Sequence, residues 1–127
     1  MKFKVKQLST VLKDVHKRFL EQERRSAEEY FQKKIAPLEF LSILTQDKNF
    51  EWMRPFSALI ADIDAFVDDN EFIDEHDWQR IKGEVEFLIS HSTSPIVKRY
   101  LHHLNNDADF IMYHSTLKNE LSSWELK

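Results

Sequence analysis

The chain has 127 residues, a net charge of −4 and 42% hydrophobic residues, which fits a single domain over residues 1–127. It contains no cysteine, so disulfides, thiolate metal sites and cysteine nucleophiles are excluded. One glycine and three prolines disfavour a sheet protein with many tight turns, and also a glycine-rich phosphate loop. No apolar run reaches the length of a signal peptide or a membrane span, so we expect a cytoplasmic protein with no membrane partner.

Charge is distributed unevenly along the chain. Residues 1–34 hold ten Lys or Arg and five Asp or Glu, whereas residues 61–79 hold eight acids and no Lys or Arg. The simplest interpretation is a solvated acidic segment whose field is balanced by a basic N-terminal helix. Whether the acidic stretch binds cations stays open, although its spacing does not match a calcium-binding loop. The overall excess of acid disfavours a nucleic-acid partner.

The first predicted helix runs from about Gln7 to about Lys34. Before it, Phe3 and Val5 alternate with lysines but have no strand to pair with, so residues 1–6 are predicted to form a flexible arm. The apolar residues of the helix recur at the spacings of an amphipathic helix, and they are Leu8, Val11, Leu12, Val15, Phe19, Ala27, Tyr30 and Phe31.

A short second helix is predicted to start at Pro37, because proline favours the first helical turn. It should end near residues 45–47, where Asp47 or Asn49 is expected to cap the next helix. The residues that this second helix is predicted to bury are Leu38, Phe40, Leu41 and Leu44.

The central helix carries the longest apolar stripe of the chain. Pro55 lacks the N–H that an interior position donates, so we predict either a kink there or a single turn over residues 50–53 followed by a new start. Arg54 could then donate to the carbonyl freed near residue 51. A second face of small residues should let another helix approach closely. The stripe consists of Trp52, Phe56, Leu59, Ile60, Ile63, Phe66 and Val67, and the small face of Ser57, Ala58, Ala61 and Ala65.

Three further helices have clear start signals. Asp74 is a predicted N-cap, and Ser94 with Pro95 forms an N-cap followed by proline. Asp107 should cap the last helix after a break at residues 105–106. Gly83 lies inside the fourth helix, which is predicted to end at residues 91–93, and indicates a close helix contact. The apolar positions of the fourth and last helices are Trp78, Ile81, Val85, Leu88, Ile89, Phe110, Tyr113, Leu117, Leu121 and Trp124.

These segments predict an all-α fold with no internal repeat. Short connections favour antiparallel neighbours. The expected architecture is an antiparallel bundle of five to six helices with a kinked central helix near Pro55.

The chain lacks the patterns that usually carry catalysis or hold a metal. No Glu-x-x-His pair occurs, which disfavours a di-iron carboxylate centre. No serine lies in a Gly-x-Ser-x-Gly turn. We therefore predict no catalytic residues, no metal site and no cofactor.

Two motifs are specific enough to compare with known families. The run Phe50-x-Trp52-x-Arg54-Pro55-x-Ser57-x-Leu59-Ile60 fits the pattern F-x-W-[LM]-R-P-[LF]-S-x-L-[IM]. Residues 98–114 contain a run similar to R-Y-L-x-x-L-Q-x-[DS]-P-[DE]-V-[VI]-[LM]-x-H, in which Asn105-Asn106 and Ala108 replace the usual glutamine and proline. Together they resemble a family of small bacterial proteins without an assigned activity. The resemblance implies an all-helical fold and a cytoplasmic location.

The sequence leaves two main functions open, with an enzymatic function as the third and least favoured. The first is a non-enzymatic helical protein that acts through contacts with a protein partner or with itself, as a homodimer. Its three tryptophans and ten phenylalanines provide more aromatic surface than a small bundle easily buries. The second is a small-ligand or metal-binding bundle. The candidate binding residues are Trp52, Arg54, Asp62 and Asp69.

Overall fold

The computed structural model describes residues 1–90 and 94–122, apart from the side chain of Asn49. Within this part of the chain lie six α-helices and no strand, so the predicted all-α fold is confirmed. Each described helix is too short or too polar to span a bilayer. The helices are α1 (Lys2–Phe31), α2 (Pro37–Gln46), α3 (Arg54–Asp69), α4 (Glu75–Ser90), α5 (Pro95–Asn106) and α6 (Ala108–Ser122), and a 3₁₀ segment (Lys48–Met53) joins α2 to α3.

The helix α1 organises the bundle, because it contacts α2, α3, α5 and α6. Its apolar face joins a main core that also takes residues from the 3₁₀ segment, α3, α4, α5 and α6. Burial of such a shared face, rather than local propensity, supplies most of the stability of helices in proteins. The largest fully buried side chains of this core are Phe19, Phe56, Trp78, Tyr100 and Phe110.

The predicted flexible arm over residues 1–6 is wrong, because α1 begins at Lys2. Val5 donates from its N–H to the carbonyl of Met1 (3.0 Å) and is fully buried. Lys4 is also buried, and its Nζ lies 2.9 Å from Oε1 of Glu120 on α6. Burial of one side of this first turn and the ion pair to α6 explain why the segment is helical.

The end of α1 is locked to the connection that follows it. Gln32 adopts the left-handed conformation (φ 52°), so α1 ends at Phe31 rather than near residue 34. The backbone N–H of Ile35 donates to Oε2 of Glu28 (2.7 Å), and Nη1 of Arg24 donates to the carbonyl of Ile35 (2.8 Å). These bonds satisfy both backbone groups of a residue that is itself buried.

The helix α2 lies at the edge of the bundle and contacts α1 and the 3₁₀ segment. Phe40 is buried with Ala27 in a small second core, as predicted. Leu38 and Leu41 were also predicted to be buried, but they are 81% and 47% exposed. Leu44 is half-buried. A helix with a single covered side cannot bury apolar residues that lie around its whole circumference.

The residue that caps the central helix α3 is not one of the two that were expected. Asp47 is the C-cap of α2, and its carbonyl accepts from the N–H of Phe50 (3.1 Å). The N-cap of α3 is Met53, and Pro55 lies in the first turn, where its missing N–H costs nothing. The chain therefore makes a separate turn and then a new start, and the kinked central helix is not confirmed. The side chain of Asn49 lies outside the described part.

The start signals of the later helices are confirmed. Asp74 and Asp77 each accept a hydrogen bond from the backbone N–H of the other, at 2.9 and 3.2 Å. Ser94 and Asp107 each accept one at 3.2 Å from the N–H two residues further on. The helix α5 continues through Asn106, so the break falls at Asp107 rather than at residues 105–106.

The close helix contact predicted at Gly83 is wrong. Gly83 is exposed, and a Cβ built there would meet no atom of another helix within 4 Å.

The last helix buries less of its predicted apolar face, because Tyr113 of α6 is 41% exposed. The predicted end of α4 at residues 91–93 and the position of Trp124 lie outside the described residues.

Candidate functional site

The two faces of α3 set up the candidate site. The buried stripe is narrower than predicted, since Trp52, Leu59 and Phe66 are only half-buried. The small face is exposed along its length, so the close approach of another helix is not found within the described part of the chain. The buried residues of α3 are Phe56, Ile60, Ile63 and Val67, and the exposed small residues are Ser57, Ala58, Ala61 and Ala65.

Three of these small residues line a groove of about 660 Å³ between α1, α2 and α3. We call it the α1–α2–α3 groove. The apolar side chains that line it come from α1, α2 and the 3₁₀ segment, and they are Leu20, Leu41, Leu44, Phe50 and Met53. The small residues are Ser57, Ala58 and Ala61, and the polar ones are His16, Thr45 and Arg54.

His16 adds a neutral ring to the groove. Its imidazole lies 4.6 Å from the ring of Phe56, measured between centroids. Burial lowers the pKa of His16 to about 4, because the charged form would lose its hydration. His16 is therefore uncharged near neutral pH, and Arg54 is the single charged residue among those that line the groove in the described chain.

Arg54 is the first residue of α3 and joins it to the end of α2. Its Nη2 donates to the carbonyl of Thr45 at 3.0 Å, one of the carbonyls that a helix end leaves unpaired. The predicted donation to a carbonyl near residue 51 is not found. Instead, Nη1 of Arg54 lies 3.6 Å from Oε1 of Glu51, and the arginine side chain stays 45% exposed.

The structure separates the four residues that the sequence grouped as binding candidates. Arg54 lines the groove, whereas Trp52 packs against the main core and does not. Asp62 and Asp69 are exposed on α3, and neither side chain has a hydrogen bond or ion pair within the described residues. The described part of the chain also holds no group of three His, Asp or Glu that could bind a metal ion.

A buried polar cluster between α1 and α5 was missed from the sequence. Oε2 of Glu23 accepts from Nε of Arg99 (2.8 Å) and lies 2.5 Å from Nε2 of His103. Burial opposes the ionisation of Glu23, but the bonds from His103 and Arg99 outweigh it and lower its pKa. The spacing along α1 could have indicated that Glu23 is buried. Glu23 falls four residues after Phe19 and four before Ala27, on the buried face of the helix.

This cluster is structural rather than a second binding site. Glu23 and His103 are 6% and 3% exposed, and neither lines the groove. The guanidinium of Arg99 also donates to the hydroxyl of Ser26 (3.3 Å). A buried carboxylate bonded in this way links two helices instead of presenting a reactive group to solvent.

Comparison with known proteins identifies no relative of this chain. No family model, no curated protein and no solved structure matches the chain. The resemblance to a bacterial family therefore stays a prediction, and any functional proposal depends on the groove and its residues.

Proposed function

We propose that the protein is a non-enzymatic binding domain that holds a small, mainly apolar molecule in the α1–α2–α3 groove. One observation carries the proposal: Ser57, Ala58 and Ala61 of α3 lie exposed in an apolar groove of about 660 Å³. Pockets that bind drug-sized molecules have volumes of roughly 300–1,000 Å³ and are lined mostly by apolar groups with a few polar ones. The groove has this size and this composition.

The apolar lining residues supply the driving force for such a ligand. Leu41 is 47% exposed beside the groove, and Leu44 and Phe50 are half-buried. Covering apolar surface contributes about 25 cal/mol per Å². The short side chains of Ala58 and Ala61 leave the space that a ligand needs next to the helix backbone. The same residues therefore provide both room and contact area.

The polar groups of the groove favour binding over nucleophilic catalysis. The hydroxyl of Ser57 donates to the carbonyl of Arg54 (3.1 Å), and that of Thr45 donates to the carbonyl of Ser42 (3.0 Å). Neither hydroxyl is hydrogen-bonded to His16 in the described structure, whereas an activated nucleophile needs a base within reach.

Calorimetric titration with decanol tests the proposal, with a variant that fills the groove. We expect decanol to bind the native protein, and Ala58→Phe to abolish or weaken this binding by at least about tenfold, since the new ring occupies the ligand volume. Ligand at about a hundred times its Kd should also raise the free energy of unfolding by about 2.7 kcal/mol.

Ala65→Phe is the matched control for this experiment. Ala65 is exposed on the same helix but does not line the groove, so its replacement should leave decanol binding unchanged. The proposal is rejected if the native protein binds neither decanol nor a decyl compound with a charged end group, or if both variants bind as the native protein does.

A contact between two copies of the chain is a second candidate function, favoured by the junction of α1 and α2. Tyr30, Phe31 and Leu38 flank this junction and are 82%, 56% and 81% exposed. Both signs of charge surround them, including Lys33 and Glu39, which lie 3.8 Å apart. A surface that carries both signs can be complementary to itself in a two-fold dimer.

A further inference from the structure

The charge of the groove residues points to the chemical class of the ligand. Arg54 carries the single charge among the described lining residues, because His16 is uncharged near neutral pH. We infer that the groove binds an apolar molecule with a terminal carboxylate, such as the anion of a medium-chain fatty acid, and that Arg54 binds this carboxylate. The inference rests on the proposed function and specifies its ligand.

Arg54 is positioned to receive a carboxylate without a large rearrangement. A guanidinium has five N–H groups, and one of those on Nη2 is held by the carbonyl of Thr45 at 3.0 Å. This bond anchors the side chain at the edge of the groove, while the guanidinium stays partly exposed. Arginine binds carboxylates through two parallel, charge-assisted hydrogen bonds, which an alcohol has only one oxygen to accept and an ammonium group cannot accept at all.

Glu51 is the group that a ligand carboxylate must displace. Its Oε1 is 3.6 Å from Nη1 of Arg54, which is longer than a hydrogen bond, and both side chains are about half exposed. Exposed ion pairs of this geometry contribute little to stability. The carboxylate of Glu51 therefore lies beside Arg54 without a close bond, and a bidentate ligand can replace it.

The experiment compares decanoate, decanol and decyltrimethylammonium by calorimetric titration near neutral pH. These probes share one chain and differ in the charge of the end group. We expect decanoate to bind about tenfold more tightly than decanol, as a charge-assisted hydrogen bond allows, and the cation to bind most weakly. The preference for decanoate should shrink at high salt.

Variants at two positions assign the preference to Arg54. Arg54→Gln should weaken decanoate binding about tenfold and leave decanol binding unchanged, and Arg54→Lys should have an intermediate effect because it retains only the charge. Glu51→Gln should tighten decanoate binding without affecting decanol. Glu51→Gln removes the carboxylate that competes with the ligand for Arg54, and it leaves the bond between Arg54 and Thr45 in place. This variant therefore remains informative if Arg54→Gln folds poorly. Arg25→Gln, an exposed cation outside the groove, is the control.

The possible outcomes distinguish this inference from the proposed function. Equal affinity for decanoate and decanol, with both lost in Ala58→Phe, overturns the carboxylate inference and leaves the groove as a ligand site. Binding of none of the three probes overturns both. A preference for decanoate that survives Arg54→Gln and does not respond to Glu51→Gln also overturns the inference.

Discussion

Gly83 shows at the scale of a single residue how a local pattern can be misread. Within a helix, glycine usually marks a close contact, but here the position faces open solvent. It therefore carries the entropic cost of glycine with no compensating contact. Whether a helical position is covered depends on a neighbour that the local sequence does not specify.

We predict that Gly83→Ala stabilises the protein by about 0.5–1 kcal/mol. Alanine restricts the unfolded chain, and its Cβ meets nothing in the folded one. Urea denaturation measures the change. Ala65→Gly, at an exposed position of α3, should lower the free energy of unfolding by a similar amount. A destabilising effect of Gly83→Ala would mean that the position is covered in solution.

Residues whose partners are local were predicted well. Asp74, Ser94 and Asp107 cap their helices as expected, because a cap bonds to an N–H two or three residues away. The prediction for Arg54 was wrong in its acceptor: the guanidinium donates to the carbonyl of Thr45 and not to one near residue 51. That acceptor belongs to another helix, so its distance depends on the fold.

At the scale of helices, the buried Glu23 links α1 to α5. Its carboxylate is bonded to both Arg99 and His103. We predict that Glu23→Ala lowers the free energy of unfolding by about 3–5 kcal/mol, because it leaves the buried imidazole of His103 and the half-buried guanidinium of Arg99 without their acceptor. Chemical denaturation at neutral pH measures the loss.

An exposed acid on the same helix provides the control for Glu23. Glu29→Ala should change the free energy of unfolding by less than about 0.5 kcal/mol, since its side chain faces solvent. Similar effects of the two variants would show that the link between α1 and α5 contributes nothing beyond an ordinary surface charge.

The helix α2 shows that hydrophobic periodicity does not predict how much of a helix is buried. Its apolar residues were correctly assigned to a helix beginning at Pro37, but Leu38 and Leu41 are exposed. The sequence predicts where apolar residues lie around the axis. It does not predict how many neighbouring helices cover them, and α2 has too few to cover both sides.

At the scale of the whole molecule, the exposed junction of α1 and α2 predicts self-association. Light scattering over a concentration series should show dimers, and Leu38→Ser should raise the dimer Kd about tenfold because it removes an exposed apolar anchor. Phe72→Ser is the control: Phe72 is 80% exposed but lies in the connection between α3 and α4. A strict monomer at high concentration contradicts this prediction.

The amino-acid pattern alone was enough to predict the all-α fold, the positions of its helices and most of their start signals, because each depends on residues within one or two helical turns. The groove and the environment of Glu23 could be seen only in the assembled bundle. Residue pairs such as Glu23 and His103 are 80 positions apart, and the groove is a space left between three helices. Both depend on distances between helices, which arise when the whole chain packs around one core.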